Sequence, residues 1–203
     1  METGIVGVPA PPLEHVRWIN ENGDGRSPLI LAELGQGYSI LILYFFQDWC
    51  AGCHAHGFPT FVTLAEEFRD KGVGLAAVQT VFEGSEVNTF DRLRENQRRY
   101  GLHVPFGHAV ADSASGDAVP AIMEAYRSGG TPWFVVIAPN GRVVYDGFRL
   151  DAEGLVQALR PAAPMLTPVV SRGVGRQPGG KQDELSGARS IARHVKQTIA
   201  GRR

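Results

Sequence analysis

The chain has 203 residues, 43% apolar and 9% aromatic, enough for a packed core in one domain with or without an appendage. A net charge of −1 excludes an overall attraction to nucleic acid or to an anionic membrane. The charge is uneven, however: residues 161–203 carry eight Lys/Arg against two Asp/Glu (+6), whereas residues 1–160 carry 12 against 19 (−7).

The first segment, Val8-Pro9-Ala10-Pro11-Pro12-Leu13, is too rich in proline for regular helix and is expected to run along the surface. Trp18-Ile19-Asn20 and Leu29-Ile30-Leu31 flank the turn-rich Asn22-Gly23-Asp24-Gly25 and predict a short hairpin. Gly35-Gln36-Gly37 reads as a turn only. Ser39 to Phe46 is a strongly apolar strand. Beyond Cys53, the helical spacing of Phe58, Phe61, Leu64, Ala65 and Phe68 predicts a long helix, kinked at Pro59 and ending at Lys71-Gly72.

A second βα unit follows: a buried strand over Val73–Val81, then a helix marked by Val87, Phe90, Leu93 and Tyr100. Arg92, Arg94, Arg98 and Arg99 lie on its outer face and read as a solvated surface in preference to an anion site. A short strand near Val104–Val110 and a helix through Val119, Ile122, Met123 and Tyr126 come next. Trp133–Ile137, Pro139-Asn140-Gly141-Arg142 and Val143–Tyr145 predict a β-hairpin, with Asn-Gly supplying the positive φ angles of its turn. Asp151 is placed to cap a last helix reaching about Arg160. Strands and helices alternating before a closing hairpin imply an α/β fold with a mixed sheet and helices on both faces.

The composition changes at Pro161. A domain over residues 1–160 is therefore expected, followed by a Pro/Gly-rich linker and basic tail over 161–203. In the tail, Leu185, Ala188, Ala192, Val195 and Ile199 have the spacing of a narrow amphipathic helix, and a frayed basic tail is the alternative. The tail has no interleaved aromatics, so a nucleic-acid partner is not expected. No apolar run approaches the roughly 20 residues of a membrane span. Met1–Gly7 has an early acid and no basic start, so the expected compartment is the cytoplasm.

The chemistry concentrates in Trp49-Cys50-Ala51-Gly52-Cys53, which places the only two cysteines three apart at the end of the apolar strand. A helix starting at Cys50 would set that thiol among free N–H groups and the positive end of the helix dipole, where a thiolate is stabilised. Cys53, one turn on, could reach the first sulfur. Because a loop this short gains little from closure, a bridge here is for exchange and not for stability. His54 and His56 follow at once. His54 is four residues from Cys50, so it either modulates the thiolate as an imidazolium or is a surface or capping histidine. His56 is expected to be inert, Asp48 to be solvated, and His103 and His108 have no readable partner.

Cys50-Ala51-Gly52-Cys53 after a strand and a Trp, with Gly130-Thr131-Pro132 directly before the strand Trp133–Ile137, resembles the thioredoxin superfamily over roughly residues 5–160. The 79-residue interval from Cys53 to Pro132, the extra βα unit and the N-terminal hairpin are similar to its TlpA-like and peroxiredoxin-related branch. This resemblance implies a thioredoxin-like fold and a thiol–disulfide oxidoreductase, a disulfide reductase in its leading form, without cofactor or metal. Cys50 would then attack and Cys53 resolve, with Trp49 a lid, Pro132 cis, and the Thr131 backbone pairing with a bound peptide. The implied partners are a protein or small-molecule disulfide and an electron-donor thiol system. Several positions depart from the pattern: Tyr44 stands where thioredoxin has a buried carboxylate, Ala-Gly lies between the cysteines, and Pro59 comes one residue late.

Other readings compete. A peroxiredoxin-like hydroperoxide reductase shares the architecture, but Gln47 stands where a Thr or Ser would precede its cysteine. Cys50-Ala-Gly-Cys53-His54 fits a c-type haem attachment pattern. Cys50, Cys53, His54 and His56 could hold a soft metal, although they are crowded on one turn. A binding or chaperone module with incidental thiols is the last alternative.

Overall fold

A computed structural model describes residues 3–34, 40–111 and 119–159. Its elements are β1 (Arg17–Ile19), β2 (Gly25–Arg26), α1 (Leu31–Leu34), β3 (Ile40–Phe46), a π-helical turn (Cys53–Gly57), α2 (Phe58–Glu67), β4 (Val73–Val81), α3 (Phe90–Arg99), β5 (Phe106–Val110), α4 (Ala121–Ala125), β6 (Trp133–Ile137), β7 (Val143–Gly147) and α5 (Ala152–Leu159). The strands form one seven-stranded sheet in the order β2-β1-β5-β4-β3-β6-β7. β3, β4 and β5 are parallel, while β1, β6 and β7 are antiparallel to their neighbours, so the sheet is mixed as the alternation of elements predicts.

The continuous apolar run of β3 follows from its central place. Ile42, Tyr44 and Phe46 face a core that also holds Phe58, Phe61 and Leu64 of α2, Leu93 of α3 and Leu155 of α5. Leu41, Leu43 and Phe45 face the opposite core, with Ile122 of α4, Leu34 of α1 and the N-terminal Ile5 and Leu13. Both faces are covered, and a strand buried on both faces loses the polar alternation of a one-sided sheet.

Several elements depart from the sequence reading. β1 pairs with residues 25–26, not 29–31, because the Asn20–Asp24 turn closes within five residues: the Asn20 N–H donates to the Asp24 carbonyl at 2.8 Å. Leu31 instead begins α1. The proline-rich segment is fixed to the closing hairpin by hydrogen bonds from Gly7 N–H to Val143 O and from Ala10 N–H to Gly141 O, both 2.8 Å. α3 starts at Phe90, not Val87, because the Thr89 hydroxyl caps it by accepting the Arg92 N–H; β5 starts at Phe106 and α4 at Ala121. In the loop of the closing hairpin Gly141 has positive φ (+75°) and Asn140 does not, so the loop is a turn followed by a glycine bulge and not an Asn-Gly turn with two positive angles. Asp151 does cap α5, accepting the Gly154 N–H at 2.9 Å. The Gly35–Gly37 turn, Ser39, Arg160 and the expected linker and tail lie outside the described residues. No helix among the described residues is long and apolar enough to cross a membrane.

Candidate active site

β3 delivers Trp49 and Cys50 just past its own C-terminal end, inside the sheet, and the antiparallel register of β3 with β6 brings the second half of the site to meet them. Phe45 pairs with Trp133, so the residues just before β6 run past the end of β3. As a result the Cys50 thiol faces the Thr131 carbonyl at 3.5 Å, across a cis Thr131–Pro132 peptide bond. Pro132 packs on the same turn: a Cβ on Gly52 would stand 3.5 Å from its Cδ.

Cys50 precedes the helical turn begun at residues 51–52, and its Sγ accepts the Cys53 N–H at 3.2 Å. The two thiols are not equivalent. Cys50 retains 9% of its surface exposed, whereas Cys53 is wholly enclosed. Burial, reinforced by the neighbouring Cys50, pushes the Cys53 thiol up to about 12, against which the Gln47 backbone and the Thr131 side chain act.

The helix after the dithiol is not a plain α-helix kinked at Pro59. Cys53–Gly57 forms a π-helical turn, closed by the Phe58 N–H donating to the Cys53 carbonyl, and Pro59 then falls in the first turn of α2, where its missing N–H is tolerated. The late proline is thus absorbed by one wider turn. Tyr44 explains where that turn sits. Its hydroxyl donates to the same Cys53 carbonyl at 3.2 Å, its ring stacks on Phe134 at 4.8 Å, and a Cβ at Gly57 would meet its oxygen at 2.2 Å. Tyr44 is fully buried, which holds its phenol well above the ordinary range, so it acts as a hydrogen-bond donor and not as a base.

Asp48 is buried, contrary to the solvated position expected from the sequence. Its Oδ2 accepts from Arg92 Nε and Nη2, both at 2.9 Å, and its Oδ1 accepts from Asn96 Nδ2 at 2.8 Å; its own N–H donates to Asn88 Oδ1 at 2.6 Å. The Asp48 carbonyl accepts from His54 Nε2, and His54 Nδ1 meets the Tyr100 hydroxyl at 2.6 Å. His54 is therefore engaged through both ring nitrogens by groups other than Cys50. Nor is the arginine face of α3 simply solvated: Arg92 is tied to Asp48, and Arg94 lies over Phe90 and donates to Gly23 O. The signal in the sequence was the four-residue spacing of Asn88, Arg92, Asn96 and Tyr100, which puts them along one side of a helix.

Trp49 is 51% exposed beside the dithiol, its ring against Gly84, where a Cβ would come within 3.1 Å of Cδ1. His56 and His103 are exposed, and His108 Nε2 donates to the Asn88 carbonyl at 2.8 Å. Among the described residues, no group of three or more His, Cys, Asp or Glu side chains converges as a metal site.

A sheet of this order, with a Cys-x-x-Cys turn at the end of its central strand and a cis-proline facing it, defines a thioredoxin-type architecture. Solved structures agree. A protein described as a thioredoxin-like superfamily member is 30% identical, with a TM-score of 0.63, over 78% of this chain and 100% of its own. A thiol-disulfide isomerase from Corynebacterium glutamicum is 25% identical, with a TM-score of 0.61, over 76% of this chain and 98% of its own. The thioredoxin domain of a thiol-disulfide oxidoreductase from Bacteroides vulgatus, 20% identical with a TM-score of 0.50 over 75% and 92%, shares the fold. No protein-family model and no curated protein matches the sequence. The chain belongs to the thioredoxin-like superfamily.

Proposed function

We propose that the protein is a thiol–disulfide oxidoreductase that works as a disulfide reductase through Cys50 and Cys53. The observation that carries this reading is the asymmetry of the pair: one cysteine that keeps a little exposure and accepts a backbone N–H, and its neighbour wholly enclosed and protonated. The Cys50 thiolate attacks one sulfur of a substrate disulfide; a Cys50–substrate bond forms, the substrate bond breaks, and the leaving sulfur departs as a thiolate. Cys53 then loses its proton and attacks Cys50 Sγ, releasing the second substrate thiolate. The substrate gains two electrons, and the enzyme is left with a Cys50–Cys53 bridge that an external dithiol reduces again.

Trp49 and Thr131 suit the substrate side. The Thr131 N–H has no partner among the described residues, and it sits beside Pro132 at the mouth of the dithiol, so an extended peptide could pair there. Trp49 offers an apolar surface on the other flank. Protein and small-molecule disulfides are both chemically suited substrates, and the reducing cytoplasm is the compartment where such a pair would be kept reduced.

The test is turnover of a disulfide substrate with an external dithiol, together with the reduction potential of the pair. A reductase should turn over and equilibrate near about −270 mV, whereas a value near about −120 mV would make it an oxidant. Undiminished turnover by Cys50→Ser would overturn the assignment.

A further inference from the structure

We propose that α3 is a clamp for the dithiol turn: Asn88, Arg92, Asn96 and Tyr100 hold Asp48 and His54, and through them fix where Cys50 and Cys53 stand. The inference rests on the dithiol reading above and adds positioning residues to it. Each of the four lies four positions after the last, so one side of α3 and its flanking residues presents a column of polar groups to the segment between β3 and the π-turn. That column uses every polar atom of Asp48: the carboxylate is taken by Arg92 and Asn96, the N–H by Asn88, and the carbonyl by His54, which is itself held by Tyr100.

The chemistry of His54 follows from its partners. A carbonyl oxygen can only accept, so Nε2 donates to the Asp48 carbonyl, and Nδ1 shares a hydrogen bond with the Tyr100 hydroxyl. The ring is braced at both ends, and Tyr100 is in turn stacked on Phe58 with centroids 4.0 Å apart. His54 belongs to the π-turn that starts at Cys53, so it ties the residue before Trp49-Cys50 to the residue after Cys53. On the other side, Pro132 abuts Gly52. The four residues Cys50–Cys53 are thus held between a proline wall and a helical clamp.

A carboxylate this buried is a costly way to fill space, since apolar residues of similar shape usually serve stability as well or better. What a fully bonded ion pair adds is a single defined geometry, and that matters where two sulfurs must meet in line.

The experiment compares wild type, Asp48→Asn, the double variant Asp48→Asn/Asn96→Asp, Tyr100→Phe and, as a control on the exposed face of α3, Arg98→Ala. Two quantities are read on each: the equilibrium constant of the Cys50–Cys53 pair against glutathione, and the alkylation rate of Cys50 in the reduced protein. Asp48→Asn removes the carboxylate charge that Arg92 and Asn96 share and should shift both by about fivefold or more; the double variant returns a carboxylate to the cluster and should return both to within about twofold of wild type. Tyr100→Phe keeps the stack and loses only the hydroxyl, and should shift both by about twofold or more. Arg98→Ala should match wild type. A folded Asp48→Asn with wild-type values, or a double variant no better than the single, overturns the clamp. Should Asp48→Asn fail to fold, Tyr100→Phe decides in the same way. If wild type forms no reversible bridge with glutathione, it is the proposed function that fails, and the Cys50 alkylation rates still decide the clamp.

Discussion

Cys50 Sγ and the Thr131 carbonyl oxygen stand 3.5 Å apart, although 81 positions separate them in the chain. The contact exists because β6 runs antiparallel to β3 with Trp133 opposite Phe45, so the start of one strand must pass the end of the other. The less enclosed of the two cysteines is therefore the one lying beside the backbone that leads into β6.

The first expectation concerns the order in which the thiols react. With burial pushing Cys53 up to about 12, a limiting amount of iodoacetamide at pH 7 should label Cys50 and leave Cys53 intact until the protein is unfolded. The folded value lies above the ordinary thiol value of 9.0, so the neutral Cys53 favours the folded reduced state fully below pH 9 and progressively less as pH rises towards 12. Reduced wild type should lose more urea resistance between pH 8 and pH 10.5 than Cys53→Ser does.

Gly57→Ala tests the fit of Tyr44 under the π-turn. Alanine is the better helix former by about 1 kcal/mol, and Gly57 has ordinary helical angles (φ −62°, ψ −57°), so in open space the change would stabilise. Here the new Cβ meets the Tyr44 hydroxyl at 2.2 Å inside a closed aromatic cluster. Overpacking of this kind costs about 1–3 kcal/mol and should win. Denaturant unfolding should give a lower midpoint for Gly57→Ala.

His108 supplies a pH dependence. Burial, with Arg17 adding to it, lowers its value below the ordinary 6.5, while its bond to the Asn88 carbonyl acts the other way. A neutral histidine is thus preferred in the folded state. Its contribution is complete above pH 6.5 and is lost as pH falls through the lowered folded value. The urea midpoint should fall between pH 7.5 and pH 5.5, and should fall less in His108→Gln.

Trp49→Ala separates binding from chemistry. The indole is half exposed and packs on Gly84, so its loss should change stability by less than about 1 kcal/mol. If the ring contacts substrate, KM for a protein disulfide should rise about three- to tenfold with kcat nearly unchanged, as removal of uniform binding requires. Steady-state kinetics with a protein and a small-molecule disulfide, compared side by side, would show it.

Much of the fold was legible because β3 and β6 are continuous apolar runs and β4 nearly so, which burial on both faces explains, and because Asp151 and Thr131-Pro132 are local signals at element boundaries. The dithiol was legible for the same reason: two cysteines three apart after such a strand. What the sequence hid was non-local. Asp48 looks like a surface acid until Arg92 and Asn96 are known to reach it from 44 and 48 positions away. The hairpin of β1 closed on residues 25–26 because turn chemistry at Asn20–Asp24 outweighed the more apolar Leu29–Leu31. The π-turn could be suspected from the late Pro59, but its cause, a tyrosine under Gly57, depends on packing that no local pattern records.

The most direct measurement is the intact mass of reduced wild type and of Cys53→Ser after mixing with a disulfide substrate. Wild type should lose two hydrogens as the Cys50–Cys53 bridge closes and the substrate leaves reduced, while Cys53→Ser should keep half of the substrate bound through Cys50. No adduct on Cys53→Ser, or a wild-type mass that never changes, would contradict a working dithiol at this site.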